Sequence, residues 1–209
     1  QKQKPSGISD AFSGSTRFPE HLTFRIKAQA DMRWEIQKRS IQPSSHELLN
    51  SLSDNLQAEL TYAMVGSTLA VHPLMEQLRS DSMQTPQRLA HNGIQHFFLT
   101  PLDTHFCTGE LATNMSFVQS GTVHYHNHGI GCSNDDAAVC LVMPTEDWLS
   151  EPALWVSTWH HNGDLKATTP AQMIKLESDK LVDCTRANPM IHGFMRSYAV
   201  AYVDWLSQK

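Results

Sequence analysis

Residues 114–127 read Asn114-Met115-Ser116-Phe117-Val118-Gln119-Ser120-Gly121-Thr122-Val123-His124-Tyr125-His126-Asn127, and this stretch decides the fold class. Two runs, 115–119 and 122–127, flank the tetrad Gln119-Ser120-Gly121-Thr122. Branched and aromatic side chains suit a pleated, half-buried surface, and a glycine in a polar tetrad permits a tight reversal. The stretch reads as a β-hairpin. Downstream and upstream of it the chain continues in the same style, with strand candidates at 94–99, 104–108, 137–143, 153–161, 173–177 and 194–204. Asn162-Gly163, after Trp159-His160-His161, is a type I′ turn signal that places those histidines at an exposed hairpin tip. Thr145 to Leu149 fits one helical turn.

The first third of the chain has a different period. Ser44 followed by Glu47 has the spacing of a capping box. Leu48, Leu49, Leu52, Leu56, Leu60 and Met64 then recur every three or four residues, which predicts a helix over 45–64. Leu74–Leu78 adds a short helix after Pro73. Thr85-Pro86 opens another that Gly93 should end. Before all of these, 22–28 and 32–37 alternate apolar and polar residues and predict an antiparallel hairpin. Residues 1–17 are polar, without the apolar core of a signal peptide, and read as a flexible lead-in to one domain over 18–209. The expected class is α+β, with one or two helices packed on an antiparallel β-sandwich or strongly bent sheet.

Composition bounds the function. The chain has 209 residues, 40% apolar and 18% charged, with a net charge of −5. The basic residues are scattered, which argues against a nucleic-acid partner, and no run is long enough to span a membrane. The cysteines at 107, 132, 140 and 184 form no C-x-x-C pair and read as buried free thiols, with a Cys132–Cys140 bridge as the alternative. Gly129-Ile130-Gly131 is not a phosphate loop, and no G-x-S-x-G elbow occurs.

Three histidines, His124, His126 and His128, fall on alternate positions and so share one strand face, an arrangement that suits a mononuclear metal. The other reading of that strand is a polar edge that serves as a protein-interaction surface.

A second pattern spans residues 105–128. Thr108 ends one strand, Leu111-Ala112-Thr113-Asn114 forms a polar turn, and His126 follows 12 residues later across the expected hairpin. In a two-stranded ribbon such ends lie opposite one another. This arrangement resembles the toxin-type Cys/His glutamine deamidases, Burkholderia lethal factor and the cytotoxic necrotizing factors. In that family a thiolate attacks a glutamine carboxamide, a histidine handles the proton and backbone N–H groups hold the oxyanion. The resemblance implies Asn114, His126 and Thr108 at the catalytic positions and a host protein as substrate. It also implies no cofactor, and secretion from a bacterium or delivery to the host cytosol. Asn114 stands where the family has its nucleophilic cysteine, so the resemblance implies an inactive relative or substituted variant.

Overall fold

The computed structural model describes residues 19, 20, 22, 23, 26, 27, 29–31, 34, 51–127, 138–144 and 147–208. The chain divides into two compact units, residues 1–42 and 43–209. In the first unit, the described residues from 20 to 34 are helical rather than paired strands. Leu22, Ile26, Ala30 and Trp34 recur every fourth residue and are half-buried, so a helical period overrides the shorter alternation. The expected lead-in, residues 1–17, lies outside the described residues.

The second unit is α+β. Among its described residues three helices come first: α1 (Asp54–Leu69), α2 (Pro73–Asp81) and α3 (Gln84–Arg88), the last running into a wide turn of π type at Leu89–Gly93. Eight strands follow among the described residues: β1 (Ile94–Leu99), β2 (Thr104–Phe106), β3 (Asn114–Ser120), β4 (Val123–Asn127), β5 (Ala138–Val142), β6 (Trp148–Leu149), β7 (Gly163–Ala167) and β8 (Ala171–Glu177). Two helices end the unit, α4 (Ser178–Arg186) and α5 (Pro189–Leu206).

The strands form two four-stranded antiparallel sheets, ordered β1-β8-β3-β6 and β2-β7-β4-β5. Except for β4 and β5, each strand is followed by one in the opposite sheet. That alternation is the jelly-roll path, which leaves few long open edges. Two cores result. Val65, Leu74, Leu78, Leu89, Met115, Phe117, Ile174, Leu176 and Ile191 pack helices on the first sheet. Leu99, Phe106, Val118, Val123, Leu165, Ala171 and Met173 fill the space between the sheets. Strand β8 contributes to both: Ala171 and Met173 face the space between the sheets, and Ile174 and Leu176 face the helices. Burying one side chain of this size contributes about 2 kcal/mol.

Several local expectations change. The segment 119–122 is not a hairpin turn but a corner. Gly121 has φ +83°, and a Cβ there would strike the carbonyl of Pro170, so only glycine lets the chain cross from β3 to the other sheet. Thr122 anchors the corner on Thr168 and Thr169. Gly163 opens β7 rather than closing a type I′ turn. It is required because the His126 carbonyl and the Tyr125 ring pack where its side chain would be.

The expected strand at 153–161 is a 3₁₀ turn, Glu151–Leu154, and irregular chain; Pro152 fixes that turn. The expected strand at 194–204 is the middle of α5. Its start was legible, because Asn188 Oδ1 accepts from the N–H groups of Met190 and Ile191 and Pro189 occupies the first turn. Residues 148–149, expected at the end of a helical turn, form β6.

Helix α1 starts at Asp54, so Leu52 is not part of it; Leu48, Leu49 and the Ser44–Glu47 box lie outside the described residues. Its buried line is Ala58, Thr61, Val65 and Leu69, while Leu56 is exposed. Cys107 and Cys140 are exposed free thiols and Cys184 is half-buried, not the buried set the sequence suggests; Cys132 lies outside the described residues.

Candidate functional site

The residues of the expected hairpin site separate. On β3, Met115 and Phe117 point to the helices and Val118 to the space between the sheets. Asn114 therefore lies on the face turned toward the second sheet, at the end of the strand opposite Glu177. Its Oδ1 accepts from Ser116 Oγ (2.9 Å) and its Nδ2 donates to Thr113 Oγ1 (3.1 Å), so its own strand uses the carboxamide. On β4, Val123 and Tyr125 pack inward, which turns His124 and His126 to the outer face. A full sheet thus stands between Asn114 and His126.

Thr108 is nearer to His126. Its N–H and Oγ1 both donate to Asp164 Oδ1 (2.7 and 2.8 Å), and Asp164 is the register partner of His126. The His124 and His126 rings are 6.1 Å apart. Among the described residues no group of three or more metal-ligating side chains forms; His128 lies outside them.

A different constellation forms around the turn after β6. Strand β6 ends at Leu149, and Ser150 then takes φ +61°, ψ +36° before the 3₁₀ turn begins at Glu151. A left-handed conformation costs a non-glycine residue roughly 1–3 kcal/mol and is kept only where the surroundings enforce it. Here the enforcement is visible: Ser150 Oγ lies 3.0 Å from His161 Nδ1. The His161 ring is itself fixed, stacked on Phe106 at 3.6 Å and within 3° of parallel. Its backbone exchanges hydrogen bonds with Gly109 and Glu110. Burial pushes the His161 imidazole below the usual histidine range, against the pull of Glu110. The ring is therefore neutral near pH 7, with one donor and one acceptor nitrogen.

Ser150 and His161 open onto a cleft of about 320 Å³. Tyr125, Trp148 and Trp159 form its aromatic walls, Val142, Leu149 and Pro152 its aliphatic part, and Cys140, Asp147 and Asn162 its polar rim. Among the described residues no lysine or arginine lines it, and the one charged residue is an aspartate. The volume suits a molecule with one or two fused rings.

Glu151, next in the chain, faces the other way. It is 5% exposed. Trp148 Nε1 donates to its Oε2 (2.9 Å), and Tyr198 Oη and Trp155 Nε1 donate to its Oε1 (2.8 and 3.4 Å). His72, equally buried, brings Nε2 within 3.0 Å of Oε2, though off the N–H direction. The His72 tautomer is set elsewhere: Nδ1 accepts from the Leu74 N–H and caps α2, so the proton sits on Nε2. Burial opposes the charge on Glu151, but His72, Tyr198 and Trp148 outweigh it and hold the carboxyl below the ordinary glutamate range. Burial and the same carboxylate push the Tyr198 phenol well up. One carboxylate thus clasps β6, α2 and α5.

Trp148 belongs to both arrangements, lining the cleft and donating to Glu151. Neither arrangement has a clear signature in the sequence. Ser150, Glu151 and His72 match no motif, and His161 reads as a hairpin-tip residue. The detectable signal was the aromatic spacing Trp148, Trp155 and Trp159 around a lone Ser-Glu-Pro.

No protein-family model matches the chain, and no curated protein matches its sequence. No helix among the described residues is long and apolar enough to cross a membrane.

Proposed function

We infer that residues 43–209 form a ligand-binding module that takes a small, planar, uncharged heteroaromatic molecule in the Ser150–His161 cleft and relays its presence to α5. The observation that carries this reading is the shared turn. Trp148, Ser150 and Pro152 line the cleft, and Glu151 between them holds Tyr198 of α5 and His72 of α2. A ring between the aromatic walls gains stacking and desolvation. The Ser150 hydroxyl, the neutral His161 imidazole and Asn162 supply matched donors and acceptors at its edge. With no cation among the described residues of the wall and Asp147 at the rim, a phosphate or carboxylate group is disfavoured. A ligand that displaces Ser150 moves Glu151 with it, since the two are joined by one peptide.

The test is a titration followed by tryptophan fluorescence and thermal unfolding, with benzimidazole and adenosine as probes. Adenosine 5′-monophosphate serves as the anionic counterpart. Saturable quenching by an uncharged probe, lost in Trp159→Ala and weakened in Ser150→Val, supports the reading. Absence of saturable binding by both probes, or tighter binding of the monophosphate than of adenosine, overturns it.

The deamidase reading requires Asn114 and His126 to meet, and the roll sets a sheet between them. A host-protein substrate and a secreted or host-delivered setting rested on that resemblance, and nothing at the cleft supports them independently.

A further inference from the structure

The outward side of helix α5 is mixed: two valines and a glycine stand among a serine and the helix's two charged residues. Ile191 and Met195 are buried, and Tyr198 and Tyr202 half-buried, on one side. At 3.6 residues per turn the opposite side carries Gly193, Ser197, Val200 and Asp204, flanked by Arg196 and Val203. All six are exposed. Val200 is 56% and Met190 74% exposed, and nothing packs within 4 Å of where a Gly193 side chain would stand. Only two of the helix's residues are charged at neutral pH, Arg196 and Asp204. They are eight residues apart, about 12 Å along the axis, too far to pair with each other. Neither has an ion-pair partner among the described residues.

We propose that this face binds the same face of a second copy of the chain, with the two α5 helices antiparallel about a two-fold axis at Val200. The charge pattern selects that arrangement. A two-fold axis at Val200 sets Arg196 of each copy level with Asp204 of the other, giving two opposite-charge pairs. A parallel pairing would instead set arginine against arginine and aspartate against aspartate. Val200 meets itself at the centre, Ser197 meets Val203, and Gly193 with Ser207 at the ends lets the backbones come close. Such an isologous contact closes on itself and ends at two copies. The face shares no residue with the cleft, so its pairing is tested separately from the ligand reading.

The experiment is sedimentation equilibrium of the full chain over micromolar concentrations, with circular dichroism confirming that each variant is folded. Wild type is expected to dimerise. Val200→Glu and the single reversals Arg196→Asp and Asp204→Arg should each weaken the dimer by about tenfold or more. The decisive arm mixes Arg196→Asp with Asp204→Arg. Each alone sets like charges level across the seam, whereas the mixture sets opposite charges level, and a heterodimer should form. A wild type that stays monomeric, a dimer indifferent to all three substitutions, or a mixture that fails to pair overturns the proposal.

Discussion

Ser150 and Glu151 are neighbours in the chain and opposites in environment. Ser150 is strained, half-buried and turned to an open cleft, with one histidine as its partner. Glu151 is buried, unstrained by comparison, and surrounded by donors from three elements. A buried charge survives only where its hydrogen bonds are met, and an arrangement that meets them leaves little freedom. A polar group beside a cleft keeps bonding capacity for something else. The turn therefore joins a fixed clasp to a site with spare donors and acceptors, and a change on one side is felt on the other.

Breaking the clasp should have the largest effect. Glu151→Ala leaves the Trp148 and Trp155 indoles, the Tyr198 phenol and His72 facing an empty site. Urea unfolding should show a loss of about 3–4 kcal/mol. A loss under 1 kcal/mol would mean water replaces the carboxylate and the clasp is not rigid.

Acid should separate the clasp from His105, which lies on β2 with its ring stacked on Phe97. Burial, aided by His161 and Lys175, pulls His105 down to about 4. The unfolded chain takes up that proton near pH 6.5 and the folded chain does not. The stability His105 contributes is complete above pH 6.5 and is lost as pH falls from 6.5 toward 4, by roughly 3 kcal/mol. Glu151, held below its ordinary value, contributes stability present above that value and lost only as pH falls through the lowered one. Unfolding free energy measured against pH should thus fall first through the histidine range, and His105→Phe should flatten that first limb alone. An unchanged first limb in the variant would assign it to other groups.

Ser150→Gly tests the strained side. Glycine relieves a left-handed cost of roughly 1–3 kcal/mol but removes the hydroxyl bonded to His161, worth about 1 kcal/mol. Stability by urea unfolding should stay level or rise by up to about 2 kcal/mol, while affinity for an uncharged probe in the cleft falls roughly tenfold. A stability loss above 1 kcal/mol would show that Ser150 belongs to the clasp and not to the cleft.

The smallest effect is a footprint. Cys140 lines the cleft and Cys107 lies away from it, and both thiols are exposed. Saturating benzimidazole should slow iodoacetamide labelling of Cys140 severalfold and leave Cys107 unchanged. Equal protection of both would indicate a general change rather than occupancy.

Ile94–Leu99, Val123–Asn127, Ala138–Val142 and Ala171–Glu177 were legible as strands, because branched and aromatic runs bounded by turn residues have few other outcomes. Gly121 was legible as a reversal, but not its destination. A local signal cannot say whether the next strand pairs with the last or crosses to another sheet, and the deamidase geometry failed on that point. Phe194–Asp204 resembles a strand by composition, and the Asn188-Pro189 cap together with the burial of Ile191 and Met195 decided for helix.

The α+β class, the many short strands and the absence of a basic or membrane-spanning segment are properties of composition and short-range period, which the chain carries wherever it folds. The jelly-roll order, the clasp on Glu151 and the meeting of Ser150 with His161 depend on residues from tens of positions apart. Their proximity is set by which faces must be buried together, and that is settled only when the whole roll closes.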